Sequence, residues 1–410
     1  MAPGKHLRAE NESSWSGRTL QYDEGLLVSS LEQRGELGCV HTLREILQQP
    51  ATWMATAELM LQHAGECRAL LDRSRSIILS GSGSSEYAGE CVRLPLQKMT
   101  GLPVQTLGSG TLLTNGATLL PSEAPSLMVS FARSGDSPES VSALLLAQRL
   151  RSGVRHLVLT CNAQGKLSTS FLQAENVSVV VLDERTNDQS LVMTSSFTNM
   201  VLAALSLMYV QTPREFLQLA KKLGEVAQSL LEAAFSSFPL FLQQTFQRAF
   251  YLASPSLFGA ARESALKMTE MTAGRVITVC ETYLGLRHGP MSAVHADTLV
   301  VCFLSADPVV RAYELDVVRE LSQKQLGMKK LLVGSAIPQD VVGPDDLVID
   351  QAGLYDDDTT SVLYVVVGQV LALLRCLQEG LRPDAPSEDG VINRVVGSFR
   401  IYGMEELVAP

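Results

Sequence analysis

The chain has 410 residues, 46% of them hydrophobic and 19% charged, with a formal net charge of −10. That length accommodates two domains of ordinary size or one large domain with a repeated plan. The acidic balance is spread along the chain and leaves no basic patch to displace counterions from phosphates, which argues against a general nucleic-acid surface.

Residues 1–40 are polar and weakly periodic, rich in Ser, Glu and Gly, and read as an N-terminal arm. Helical patterning begins at "HTLREILQQPATWMATAELMLQHAGECRALLD". Here Pro50 is expected to end a first short helix and Thr52 to cap the next. Short aliphatic runs follow at "SIILSG", "SLMVSF", "HLVLTC" and "SVVVLD", each separated from the next by a helix-length segment. Such runs suit strands of a parallel sheet covered on both faces, an α/β layered domain. A helical bridge is expected from about 213 to 248, and beyond it the pattern repeats. Glu90 falls on Glu263 and Gly101 on Gly274, each pair 173 positions apart, while Leu127 matches Leu299 and Leu157 matches Leu331. Two copies of one α/β unit explain that offset. The expected division is an arm at 1–40, a first domain with N-terminal helices at 41–212, a second domain with its bridge at 213–402, and a tail at 403–410.

No continuous run reaches the roughly 20 apolar residues a membrane helix needs, and the N-terminus lacks the pattern of a secretory leader, so no membrane partner is expected. Seven cysteines with no paired CxxC spacing read as free thiols in a reducing compartment, which places the protein in the cytoplasm and makes a zinc site unexpected.

The two copies differ in their chemistry. After the second strand the first copy has Ala132-Arg133-Ser134-Gly135-Asp136-Ser137, where the second has "LSADPV" with neither Ser-Gly nor arginine. The first turn sits where ligands of open α/β sheets collect. Its hydroxyls, Gly135, and a helix starting at Pro138 with Ser137 as N-cap could cradle an anion. Plain turn chemistry explains the same residues, so both readings stand. In "SGSGSSEYAG" the third glycine and the P-loop lysine are missing; Ser84 and Ser85 facing a polyol fit better than a nucleotide loop. In "ARESALKMTEMTAG", Glu263, Lys267 and Glu270 fall at i, i+4 and i+7 on one helix face. They read either as a solvated salt-bridge stripe or, beside a ligand, as a tuned acid–base pair. His288 in "YLGLRHGPMSAV" is either structural or a proton-transfer group held in a rigid turn.

Together these motifs resemble the sugar isomerase (SIS) family, two SIS domains in tandem. Gly83-Ser84-Ser85 looks like the family's Gly-Thr-Ser first turn, and Ala132 to Ser137 like its Ser-x-Ser-Gly-x-Thr phosphate loop. Leu266-Lys267-Met268-Thr269-Glu270 looks like its Leu-Lys-x-x-Glu helix, and His288-Gly289-Pro290 like its His-Gly-Pro loop. "TLREILQQPATW", "NDQSLVMTSSFT" and "DGVINRVV" extend the likeness, from about residue 41 to 402, to the subgroup of tagatose-6-phosphate ketose/aldose isomerases, which includes galactosamine-6-phosphate deaminases.

The resemblance implies two flavodoxin-like three-layer α/β sandwiches and an enzyme acting on a phosphorylated hexose or hexosamine without metal or cofactor. Ser134, Ser137 and Arg133 would hold the 6-phosphate, with Ser84, Ser85, Thr194 and Ser195 also contacting substrate. Glu270 would shuttle a proton between C1 and C2, Lys267 would tune or orient it, and His288 would assist ring opening. In relatives the His288 loop can come from a neighbouring subunit, which implies a homodimer or higher homo-oligomer. The implied reaction is deamination of galactosamine 6-phosphate, with plain tagatose 6-phosphate isomerisation or a non-catalytic sugar-phosphate sensor as the alternatives. Ala132 departs from the loop pattern by lacking one hydroxyl, for which Arg133 would compensate. The related synthase's C-terminal lysine has no obvious counterpart here, although Asn393 and Arg394 lie in a comparable tail.

Overall fold

The strands owe their form to one cause: aliphatic runs too brief for a helix, apolar on both faces, that are stable only between two helical layers. The computed structural model describes residues 25–121, 125–171, 174–350, 356–387, 389–397 and 400–402. Within them, β1 (Ser76–Gly81), β2 (Val104–Gly108), β3 (Ser126–Ala132), β4 (Val154–Thr160) and β5 (Val177–Val181) form a parallel sheet in the order β2-β1-β3-β4-β5. A second parallel sheet holds β6 (Arg248–Leu252), β7 (Ile277–Glu281), β8 (Thr298–Phe303), β9 (Lys329–Gly334) and β10 (Leu347–Asp350) in the order β10-β9-β8-β6-β7. Read from its other edge, this is the first order repeated, the flavodoxin-like 2-1-3-4-5. The repeat holds at the level of register. Ile77 pairs with Leu127 in the first sheet and Ala249 with Leu299 in the second, so the spacing seen in sequence between Leu127 and Leu299 is a spacing between equivalent rungs.

Helices α1 (Gly25–Val28), α2 (Leu31–Leu37), α3 (Val40–Leu47) and α4 (Gln49–Asp72) precede the first sheet. Its own helices are α5 (Ser84–Thr100), α6 (Ser109–Leu119), α7 (Pro138–Leu150), α8 (Lys166–Thr169) and α9 (Ser195–Leu205). Then come α10 (Pro213–Phe241), α11 (Phe258–Met271), α12 (Tyr283–Leu286), α13 (Pro308–Gln323) and α14 (Asp357–Gln378). The expected bridge, α10, packs against α4 on one side and α14 on the other. All seven cysteines are free thiols.

Three local expectations are corrected. Pro50 starts a helix instead of ending one: it sits in the first turn of α4, where its missing N–H has no intrahelical acceptor anyway. Thr52 is consequently inside α4, buried, its hydroxyl bonded to Gln49 O at 3.1 Å. Part of the stretch read as an arm is helical. Residues 1–24 lie outside the described residues, but 25–40 contain α1 and α2, the latter closed by a reciprocal capping box between Ser30 and Gln33. The tail at 403–410 likewise lies outside them. Finally, α14 is long and apolar enough to cross a membrane by length and composition. A search for unbroken apolar runs passes over it because Thr, Ser, Gly and Gln interrupt it. In this fold its apolar window is wholly buried within the protein.

α11 is held between the halves by two close backbone approaches. A Cβ on Gly259 would lie 2.5 Å from Cys91 N on α5, and one on Gly368 of α14 would lie 2.5 Å from the Ser264 Cβ of α11. Arg262 of α11 adds an ion pair to Glu90 of α5 at 2.8 Å and stacks over Tyr87, 4.1 Å from the ring centre. Any chemistry on α11 is thereby fixed against the first sheet's α5.

His156 on β4 is fully buried, neither ring nitrogen has a partner, and burial pulls its pKa from the ordinary 6.5 down to about 4. As pH falls below about 6.5, the unfolded chain takes up a proton that the native chain refuses until about pH 4. Stability should therefore decline across that window by up to roughly 3 kcal/mol. Urea unfolding between pH 7 and 4 should show this slope in the wild type and a shallower one in His156→Leu.

Candidate active site

The turn after β3 is clamped from one side and open on the other. Gly135 has φ +70°, a conformation that a side chain disfavours, and lets the chain reverse directly beyond the strand. Ser137 caps α7, its hydroxyl accepting from Ser140 N at 3.3 Å, with Pro138 in the first helical turn. The loop after β4 holds the other face. Asn162 Nδ2 donates to Ser134 O at 2.8 Å and Leu167 N to Gly135 O at 3.0 Å. A Cβ on Gly165 would meet Ser134 O at 2.3 Å. Asp136, the one residue in the turn that would repel an anion, accepts from Lys166 N at 3.0 Å and so lies on the clamped side.

On the open side lies a cavity of about 140 Å³. Five serines line it: Ser82 and Ser85 from the first turn, Ser134, Ser137 and Ser140 from the second. Met193, Arg133, Glu139 and the C-terminal residues Arg394, Val395 and Val396 complete it. Hydroxyls and the N-terminus of a 13-residue helix face one small space together with the Glu139 carboxylate, one oxygen of which is buried without a partner.

The equivalent turn of the second half also borders a cavity, of about 380 Å³, but an acidic one: Asp307, Asp356, Asp357 and Asp358 line it with Lys98. Asp357 at the start of α14 accepts from Ala306 N at 2.6 Å and from the Ser305 hydroxyl, and Glu314 accepts from Ser305 N at 2.7 Å. Burial pushes the Asp357 carboxyl up, and these hydrogen bonds pull it the other way. Carboxylates of the chain itself thus occupy the donors that the first half leaves facing a cavity.

Lys267 and Glu263 on α11 are completely buried, their charged atoms 3.3 Å apart. The Lys267 ammonium also donates to Glu270 and, at 3.1 Å, to the Ser84 hydroxyl of α5. Burial works against the ammonium, but the Glu263 and Glu270 charges outweigh it and hold its pKa above the ordinary lysine value. Burial pushes the Glu263 carboxyl up, with Lys267 opposing. Glu270 differs from its neighbours in reaching solvent: its side chain is 33% exposed. Its charge reaches Arg133, whose guanidinium is pulled down by burial first and by Arg394 second, with Asp188 and Glu270 opposing. The stripe on α11 is therefore a buried acid–base cluster with one accessible carboxylate.

Of the residues singled out from sequence, Ser85, Arg133, Ser134 and Ser137 line the cavity, and Ser84, Lys267 and Glu270 form the adjoining cluster. Thr194 and Ser195 are fully buried and absent from the cavity wall. They belong instead to a network on Asp188, whose carboxylate accepts from Thr194 N and Ser196 N at 2.8 Å each, from the Ser196 hydroxyl at 2.6 Å and from the Ser195 hydroxyl. His288 is exposed beyond α12, its backbone N–H bonded to Gly285 O, and is part of neither the cavity nor the Lys267 cluster. Ser82, Ser140, Met193 and Asp188 were not singled out. Ser82 and Ser140 lie one turn or less from residues that were, so proximity to a Gly/Ser turn was the available signal. Among the described residues no group of three or more His, Cys, Asp or Glu is placed to hold a metal ion.

No protein-family model matches the sequence. Individual relatives do. A Streptomyces coelicolor protein bearing the AgaS name is 35% identical over 374 residues, 90% of this chain and 96% of its own. The D-galactosamine-6-phosphate deaminase AgaS of a Shewanella species is 31% identical over 392 residues, 93% of this chain and 97% of its own. The crystal structure of tagatose-6-phosphate ketose/aldose isomerase from Escherichia coli superposes with a TM-score of 0.79 at 32% identity, over 84% of this chain and 95% of that one.

Asp188→Ala would strand at least three buried donors that now meet a carboxylate. It should lower stability by about 2 kcal/mol or more, and Asp188→Asn by less, as read from thermal and urea midpoints.

Proposed function

Because this chain belongs to the AgaS family of SIS phosphosugar isomerases, we propose that it converts galactosamine 6-phosphate to tagatose 6-phosphate and ammonia. The observation that carries the reading is the one accessible carboxylate, Glu270, paired with buried Lys267 beside a cavity of hydroxyls and a helix N-terminus. A phosphate at Ser134 and Ser137 would anchor C6, leaving C1 and C2 free to reach toward the cluster.

The chemistry follows from these groups. Ring opening exposes an aldehyde at C1 that acidifies the C2 proton. Glu270 takes that proton, the C–H electron pair moves into a C1–C2 double bond, and the C1=O π pair moves onto O1, which takes a proton from water, giving an enolamine. The protonated carboxyl returns its proton to C1, and the nitrogen lone pair forms a C2 ketimine. Water adds to C2, the C–N bond breaks, and ammonia leaves the ketose. Lys267 hydrogen-bonds the carboxylate throughout and fixes its orientation. With a hydroxyl in place of the amine, the same proton transfer yields a ketose with no bond to nitrogen broken. His288 is assigned to ring opening in a neighbouring copy's site, since its exposed loop stands apart from this chain's own cluster, and the protein is accordingly a homo-oligomer.

Purified protein mixed with galactosamine 6-phosphate should release ammonia and ketose in equal amounts. Glu270→Gln should lower kcat by about 10²- to 10⁴-fold, the usual contribution of a general base, with substrate still bound. Ketose formed only from the non-amino aldose would make the protein a plain isomerase, and binding without turnover would make it a sensor.

A further inference from the structure

Arg133 is only 8% exposed, and its terminal nitrogens donate to main-chain carbonyls. Nη1 reaches Ser190 O at 3.3 Å and Leu191 O at 3.0 Å, and Nη2 reaches Arg394 O. These acceptors lie in two segments distant in sequence: the turn before α9 and the C-terminal stretch. Arg394 braces the same two segments in the opposite sense. Its Nε donates to Asp188 O at 2.6 Å and its Nη2 to the Asn187 side chain. One donor of Arg133, Nε, is left without a partner, and it is buried.

What these contacts hold lies across the cavity. Val395 and Val396 follow Arg394 directly, line the cavity, and remain 37% and 56% exposed. Two apolar side chains lying half in water over a polar cleft are covering something. The space beneath them, about 140 Å³, is small beside the roughly 300–1,000 Å³ usual for ligand sites. It suits a phosphate, and a sugar attached to that phosphate extends to the covering segment and lies against it.

We propose that residues 394–396 form a strap over the cradle and that Arg133 is the positioning residue that latches it, acting on the sugar phosphate through the strap and not as the phosphate's ligand. This rests on the proposed function only for the identity of the substrate; the latch is defined by the carbonyls that Arg133 binds. Inorganic phosphate, small enough to sit in the serine turn alone, should be indifferent to the latch.

The test uses the full chain with Arg133→Gln, Arg133→Lys and Arg394→Ala. Hydrogen exchange in peptides covering 187–193 and 389–397 should accelerate about tenfold or more in Arg133→Gln and Arg394→Ala. Arg133→Lys, which keeps a donor for the same carbonyls, should recover part of the protection. For galactosamine 6-phosphate, KM should rise about tenfold with kcat within about threefold, while competitive inhibition by inorganic phosphate stays within about threefold of wild type. Unchanged exchange at 389–397 would overturn the latch. So would inhibition by phosphate weakening in step with KM, which would make Arg133 a phosphate ligand. If Arg133→Gln fails to fold, Arg394→Ala reads the same strap from its other anchor. A wild type that does not turn over the amino sugar defeats the functional proposal alone, because the exchange measurement still decides the latch.

Discussion

A lysine ammonium with no exposed surface is the constraint on which the arrangement of this molecule turns. Removing such an ion from water costs several kcal/mol unless its donors are met. Lys267 meets Glu263 and Glu270 from its own helix and Ser84 from α5. The hydroxyl comes from the first half and both carboxylates from the second, so the cluster is complete only when α5 and α11 are in contact. Gly259 permits that contact by leaving no Cβ against Cys91 N. Packing of the two halves and satisfaction of the buried charge are one event, which places an accessible carboxylate beside the first half's serine turn.

The duplicated turns illustrate one requirement met in two ways. A strand ending at a helix start leaves backbone N–H groups that need acceptors. In the second half Asp357 and Glu314 supply them. In the first half the turn faces a cavity lined by five serines and by Arg133, Glu139 and Arg394. A ligand can take the place that the protein fills elsewhere with its own side chain. Asp136 is kept out of that place by its bond to Lys166 N, while Arg133, Glu139 and Arg394 line it beside the serines.

Four strands of the first sheet were legible because their signal is local, aliphatic runs repeated at a nearly constant offset that the register of Leu127 and Leu299 reproduces; β2, whose VQTLG is half polar, was not, so the turn read as following a second strand follows the third. The serine turn and the α11 stripe were legible for the same reason, as short patterns whose residues act together. What escaped were carboxylates that serve backbone groups far away along the chain. Glu45 accepts from Gln189 N and Ser190 N, and Asp384 from His41 N and Thr42 N. No spacing rule relates such pairs, since only the finished fold brings them together. Thr194 and Ser195 are a different case, with their partner Asp188 close by in the chain. Their pattern marked an important segment, while the network around Asp188 turned their polar groups inward.

The distribution of charge around the cavity bears on the base itself. A carboxylate flanked by a fully available guanidinium is a poor proton acceptor, because the nearby positive charge favours its ionised form. Arg133 is close enough to sense Glu270, yet burial lowers its pKa and its terminal nitrogens bind neutral carbonyls. Lys267, the cation in direct contact with Glu270, is shared with Glu263. A phosphate held by serine hydroxyls and the start of α7 would bring no further cation toward the base. In the proposed reaction Glu270 faces the substrate in contact with one ammonium, which it shares with Glu263. Both arginines in the cavity wall are thus committed to the chain itself, Arg133 to three carbonyls and Arg394 to Asp188 O and the Asn187 side chain, and neither is spent on the accessible carboxylate of α11.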